Sequence, residues 1–139
     1  MSERFLLDYT TGMGRKTVQA AANPEESSVL TKAVTRAAPM LGLTQRQVAE
    51  TLGLSGPTTS RLFAGKYRLS PTRAKEWELA ILFVRMFRSL DALWGHEGTA
   101  RAWLESYNTA LGAAPLELIK SAVGLVRVVD YLDHARGRV

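Results

Sequence analysis

Residues 41–69, LGLTQRQVAETLGLSGPTTSRLFAGKYRL, decide the fold. Thr44 is placed to cap a helix, and Gln47 three residues on completes a capping box. Val48, Ala49 and Leu52 follow at helical spacing. Gly53 stops the helix as a glycine just past the last turn does. Leu54 is the apolar plug of the turn, and Ser55 caps a second helix. Gly56 and Pro57 fall in its first turn, where a missing N–H costs little. That helix runs through Thr58, Thr59, Ser60, Arg61, Leu62 and Phe63 and stops at Gly65. Two short helices joined by a tight, glycine-containing turn make a helix-turn-helix. A generic helical hairpin would require neither Ser55 as a second cap nor the Ala49, Gly53, Leu62 spacing.

Working outward, Ser27 or Ser28 can cap an upstream helix carrying Val29, Leu30, Ala33, Val34 and Ala37, which Pro39 ends or kinks. Residues 1–28 show no sustained periodicity and read as a partly ordered arm. Downstream, Pro71 and Thr72 open the longest helix, to about Leu93. It carries two apolar stripes, one of Trp77, Ala80, Ile81, Val84 and Phe87, the other of Leu79, Leu82, Phe83, Met86, Leu90 and Leu93. A surface helix has one stripe. Two predict burial on both sides, by the helix-turn-helix and by a C-terminal unit or a second subunit. On that ground a dimer or larger assembly is expected.

Residues 95–98 (GHEG) form a turn, and 99–107 a short helix with Ala102, Trp103 and Tyr107. Residues 108–114 are loop, and Pro115 opens a short helix. Val123-Gly124 reads as a break, because glycine weakens a helix interior. A last helix to about Ala135 presents Leu125, Val128, Val129 and Leu132, and a basic tail, RGRV, follows. No segment alternates with period two, so the fold is expected to be all-α. Its parts are the arm 1–28, a helix-turn-helix domain 29–70, a connecting helix 71–93 and a small helical domain 94–139.

The 139 residues are 46% hydrophobic and 22% charged, as in an ordinary globular protein. The longest apolar run, 79–84, is far too short to span a bilayer. The N-terminal MSERFLLDYT does not read as a signal peptide, and there is no cysteine for a disulfide or a thiolate metal site. A cytoplasmic protein is expected. The net charge of +5 is unevenly placed: residues 1–28 carry −1, residues 29–70 carry +5 and residues 71–139 carry +1. The excess lies on the helix-turn-helix third, as a phosphate-binding face requires. The two histidines, His96 and His134, lie in no metal-ligand spacing. Glu76/Glu78 and Asp130/Asp133 read as solvated helix edges, and Gly12–Gly14 lacks the context of a phosphate loop. No catalytic constellation, cofactor or metal is expected.

Two resemblances follow. LTQRQVAETLGLS with TSRLFAGK resembles the Xre/Cro-repressor-like domain. The segment Trp103-Leu104 … Asn108 … Leu111-Gly112 … Pro115-Leu116-Glu117-Leu118-Ile119 … Gly124-Leu125 … Val128 … Tyr131-Leu132-Asp133 … Arg136-Gly137 resembles the toxin-binding domain of Xre/MbcA/ParS-type antitoxins, as does KEWELAILFVRMFRSLDAL in the long helix. The resemblance implies a non-enzymatic protein that neutralises a cognate toxin, usually a RES-domain enzyme consuming NAD, and represses the shared operon at its promoter DNA. A stand-alone repressor whose C-terminal helices only dimerise or sense a ligand is the alternative.

The first two positions of the second helix, which in such repressors often reach base edges, are here Gly56 and Pro57, which offer no side-chain donor. Thr59 stands where the pattern is usually apolar. Direct readout therefore falls to Thr58, Ser60 and Arg61, with Arg61 alone able to form a bidentate contact to guanine. Thr44, Gln45, Ser55 and Lys66 are candidates for phosphate contacts, and DNA shape can supply the rest. For the toxin the resemblance points to Trp103, Asn108, Pro115 and Tyr131 and to the tail Arg136, Gly137, Arg138 and Val139, whose arginines could reach an active site.

Overall fold

A computed structural model of the chain describes residues 24–95 and 98–137. These residues form seven helices: α1 (Pro24–Met40), α2 (Gln45–Leu52), α3 (Gly56–Phe63), α4 (Ala74–Trp94), α5 (Thr99–Glu105), α6 (Pro115–Leu118) and α7 (Ala122–Gly137). Among them the only β pairing is an isolated bridge between Asn108 and Ala113. The all-α expectation holds. None of the helices among the described residues is long and apolar enough to cross a membrane.

The caps of the central motif are those the residue types demand. Thr44 Oγ1 accepts the Gln47 N–H at 3.1 Å, and Gln47 Oε1 accepts the Thr44 N–H at 2.9 Å. Gly53 ends α2 at φ 70°, a left-handed conformation that favours glycine, and the Leu54 N–H then reaches back to the Ala49 carbonyl at 2.9 Å. At the end of α3, the Gly65 N–H binds the Leu62 carbonyl and the Lys66 N–H the Arg61 carbonyl, at 3.2 and 2.8 Å. These bonds close both helices with few residues, which fixes the turn that aims α3.

Three of the differences from the sequence reading have a clear physical cause. First, α1 begins at Pro24 rather than after Ser27 or Ser28. Proline is well suited to a first turn, and Glu25 and Glu26 there favour the helix dipole. Ser27 is buried inside the helix, and Pro39 sits in its last turn without stopping it early. Second, α4 starts two residues later than Thr72, because the Arg73 N–H bonds back to the Ser70 carbonyl at 3.0 Å in a preceding turn. Third, Gly124 is no break. Ser121 caps α7, its Oγ accepting the Gly124 N–H at 3.0 Å, and the helix continues to Gly137.

Glycine at 124 is required by proximity. A Cβ there would lie 1.9 Å from the Leu118 carbonyl oxygen, because α6 ends directly on the first turn of α7. Helix propensity alone would make Gly124→Ala stabilising by about 1 kcal/mol. Overpacking of roughly 1–3 kcal/mol reverses the sign. Urea unfolding of Gly124→Ala should therefore show a lower midpoint than the parent chain, and a raised midpoint would show that α6 moves away without cost.

The long helix α4 organises the rest. Both of its stripes turn inward: Trp77, Leu79, Ala80, Ile81, Phe83, Val84, Met86 and Leu90 are buried, and Leu82, Phe87 and Leu93 are half-buried against them. It packs on α1 and α2 of the N-terminal half and on α5 and α7 of the C-terminal half, most extensively on α7. Leu79 lies against the Gly53 turn. Further along, Arg85 pairs with Asp133 of α7. The two-sided burial is thus accomplished within one chain and gives no reason of its own for a second subunit. Buried apolar side chains from Leu30 in α1 to Leu132 in α7 form one contiguous cluster. The Arg101 guanidinium of α5 also lies against Gly42, in the turn between α1 and α2.

Candidate nucleic-acid and protein interfaces

The exposed face of the helix-turn-helix is built from its caps. Ser55 Oγ accepts the Thr58 N–H at 3.1 Å and donates to Thr58 Oγ1 at 2.9 Å. The serine hydroxyl is therefore committed to the cap, and Thr58 keeps a hydrogen to offer outward. Thr44, Gln45, Ser55, Ser60, Arg61 and Lys66 are all exposed, and Thr58 is half-buried. Thr59 occupies the inward position that the pattern reserves for an apolar side chain. It is 1% exposed, and its hydroxyl donates to the Ser55 carbonyl at 2.9 Å. A helix-internal threonine bonding one turn back is a satisfied polar group, so this departure does not loosen α3.

Arg61 is held at the far end of α3. Its Nη2 donates to the Lys66 carbonyl at 3.3 Å, and its guanidinium lies 5.9 Å from the centroid of the Tyr67 ring. Tyr67 is itself clasped. Its hydroxyl donates to Glu76 Oε1 at 2.5 Å, and Arg73 stands over the ring at 4.8 Å from its centroid. Arg73 Nε donates to the same carboxylate oxygen at 2.9 Å, and its Nη2 donates to the Arg68 carbonyl. Burial and the hydrogen bond to the Glu76 carboxylate hold the Tyr67 phenol above its ordinary range, so it remains a neutral donor. Glu76 is accordingly no solvated edge. It is a half-buried clasp, whereas Glu78 is exposed as expected.

On the C-terminal half, three elements bring their aromatic residues together. Trp94 at the end of α4 lies 5.6 Å from Trp103 of α5, ring centroid to ring centroid, and Trp103 lies 5.9 Å from Tyr131 of α7, nearly parallel at 22°. Trp94 is 37% exposed, and Trp103 and Tyr131 are half-buried, so the strip has an open edge. Beside Tyr131 is a depression lined by Ala110, Leu111, Arg127, Asp130 and His134. His134 Nδ1 sits 2.8 Å from the Asp130 carbonyl oxygen within α7. Among the described residues no group of His, Asp or Glu side chains is placed to hold a metal ion.

Asn108 and Pro115 lie near this face with their side chains already engaged. Asn108 Oδ1 accepts the Leu111 N–H at 3.0 Å, its backbone carbonyl accepts the Gly112 N–H at 2.8 Å, and its N–H binds the Ala113 carbonyl at 3.1 Å. Arg127 Nη2 ties the same loop to α7 through the Leu111 carbonyl at 2.9 Å. Pro115 is buried at the start of α6. Arg136 and Gly137 belong to the last turn of α7 rather than to a free tail. Arg136 Nη1 donates to the buried Ser89 hydroxyl of α4 at 3.2 Å. The four intended tail residues are thus divided: Arg138 and Val139 lie outside the described residues, as do His96 and most of the 1–28 arm.

Two groups here escaped the sequence reading. Trp94 follows the last inward residue of the long helix, and nothing local marks it as part of a cluster. Tyr67 and Glu76 are nine residues apart across a turn, beyond any helical spacing rule.

Two family comparisons match this chain. The family of antitoxin Xre-like helix-turn-helix domains matches residues 20–85. The family of antitoxin Xre/MbcA/ParS C-terminal toxin-binding domains matches residues 89–138. No curated protein matches the chain in a sequence comparison. The junction between the two matched regions falls inside α4, the helix whose burial both halves share.

Proposed function

We propose, since this chain belongs to the Xre/MbcA/ParS-type antitoxin family, that it binds and neutralises a cognate toxin through its C-terminal half and represses its own operon through α2 and α3. The observation that carries this reading is the succession on one chain of a DNA-binding and a toxin-binding family match, the first ending and the second beginning on α4. A stand-alone repressor would have no need of the second. On this reading the chain is not an enzyme, needs no cofactor and works in the cytoplasm. Its toxin is a RES-domain enzyme that consumes NAD, as is usual for the resemblance.

The toxin is held at the open edge of the Trp94, Trp103 and Tyr131 strip, which has the aromatic composition of interface anchors. Asn108 and Pro115 shape the loop beside it. Arg138 and Val139, which follow Gly137 in the sequence, plug the toxin's active site, while Arg136 stays on Ser89. There an arginine can form forked hydrogen bonds with carboxylates.

On the DNA side, Thr44, Gln45 and Lys66 contact phosphates while Thr58, Ser60 and Arg61 face base edges; Ser55, whose hydroxyl is spent on the cap, serves only to hold Thr58 in place. The protein binds as a homodimer on half-sites about one helical turn apart. Sedimentation at micromolar concentration should return the dimer, and a monomer would contradict it. Arg61 is the main base reader. Arg61→Ala should reduce the preference for the protein's own promoter over scrambled DNA by about 1–3 kcal/mol, measured by fluorescence anisotropy titration. Equal losses on both DNAs would show that Arg61 touches phosphate alone.

A further inference from the structure

The arginine that faces the bases is the end of a relay of contacts that begins on α4. A free arginine samples many rotamers, and ordering it on a base edge costs entropy; a guanidinium already held in place loses less. In this structure Arg61 is held twice on the turn that follows α3, by the Lys66 carbonyl at 3.3 Å and by the Tyr67 ring at 5.9 Å. Nη2 has two N–H groups and the guanidinium five in all, so the bond to Lys66 leaves donors for a base edge. The Tyr67 ring cannot swing, because Glu76 accepts its hydroxyl hydrogen and Arg73 covers the ring on 4.8 Å contact while also binding Glu76. Arg73 and Glu76 stand at the very start of α4, which is anchored in the common core.

We propose that Tyr67 is a specificity-positioning residue for DNA: its ring, clasped by Glu76 and Arg73, is the shelf that holds the Arg61 guanidinium in the last turn of α3, ready for one base pair. This inference rests on the reading of Arg61 as a base reader. Tyr67 itself touches no base. It acts through Arg61, and its removal costs discrimination rather than general affinity.

A double-substitution cycle tests it on the full-length protein, with anisotropy titrations on its own promoter DNA and on scrambled DNA of the same length. Tyr67→Leu keeps apolar bulk but removes the aromatic face. It should lower the promoter-over-scrambled ratio by about 2- to 5-fold, the equivalent of one exposed cation–π contact. Tyr67→Phe keeps the face but loses the bond to Glu76, leaving Arg73 alone to hold the ring, and should lower the ratio by less than Tyr67→Leu does. In an Arg61→Ala background, Tyr67→Leu should leave the ratio unchanged, because the group it positions is gone. If the two losses multiply in the double variant, or if Tyr67→Leu weakens both DNAs equally, the shelf is overturned while the base-reading role of Arg61 stands. If Arg61→Ala alone leaves the ratio untouched, the base-reading role fails and the shelf with it. Circular dichroism of each variant separates these outcomes from misfolding, and Tyr67→Phe supplies a readout should Tyr67→Leu fold poorly.

Discussion

Replacing Trp77 by alanine should lower the stability of the whole molecule by about 3–5 kcal/mol, the usual cost of deleting a fully buried indole. Trp77 is 0% exposed, in the half of α4 that serves the helix-turn-helix. A domain of this size holds roughly 5–15 kcal/mol in total, so the loss is a large share. The informative part is where the loss is felt. The chain has three tryptophans, and the two that remain, Trp94 and Trp103, lie against each other on the C-terminal half. Their fluorescence in Trp77→Ala therefore reports the toxin-binding half alone. Because one buried cluster runs through both halves, that fluorescence and the far-UV dichroism should unfold in a single coincident transition at a lowered urea midpoint. A fluorescence transition left at the parent midpoint would mean two independent units, and α4 would be a linker and not a shared core.

The second large effect is expected at the aromatic strip. Trp103→Ala should weaken toxin binding by about 2 kcal/mol or more, roughly thirtyfold, as for a central interface anchor. Trp103 stands in the middle of the strip, with Trp94 on one side and Tyr131 on the other. Removing it takes a contact surface and also the support of both neighbours. Titration calorimetry of the purified toxin against Trp103→Ala gives the number, and binding to promoter DNA serves as the folding control. A chain ending at Gly137 belongs in the same experiment. It keeps Arg136 on Ser89, and so spares the α4–α7 contact that a deletion from 136 would break. If Arg138 and Val139 plug the toxin, the shortened chain still binds but no longer inhibits. Parent-like binding by Trp103→Ala would move the toxin contact off the strip.

Local signals in the sequence were enough for the helix-turn-helix. Thr44, Gln47, Gly53 and Ser55 each act within four residues of themselves, and the bonds they make are the ones their chemistry implies. The two-stripe pattern of α4 was equally legible, because helical periodicity survives any tertiary arrangement. What covers the second stripe was not legible. The same pattern suits a second subunit or the same chain, and only the fold reveals that α7 does it. Gly124 was misread because glycine in a helix looks like weakness unless the neighbouring Leu118 carbonyl is known. Ser121 as its cap was the missed local clue. Arg136 was read as tail because nothing in the sequence joins it to Ser89, 47 residues away. The Tyr67 clasp and the aromatic strip are of the same kind. They are meetings of distant residues, and a single sequence contains no signal for them.

The central claim is that this chain neutralises a cognate toxin with its C-terminal half. The most direct measurement is growth of cells in which the reading frame adjacent to its gene is expressed from an inducible promoter, with and without the full-length chain. Growth should arrest when the neighbour is expressed alone and recover when the chain is co-expressed, with the two proteins co-purifying. A toxic neighbour that still arrests growth in the presence of the folded chain, and does not co-purify with it, would contradict the account.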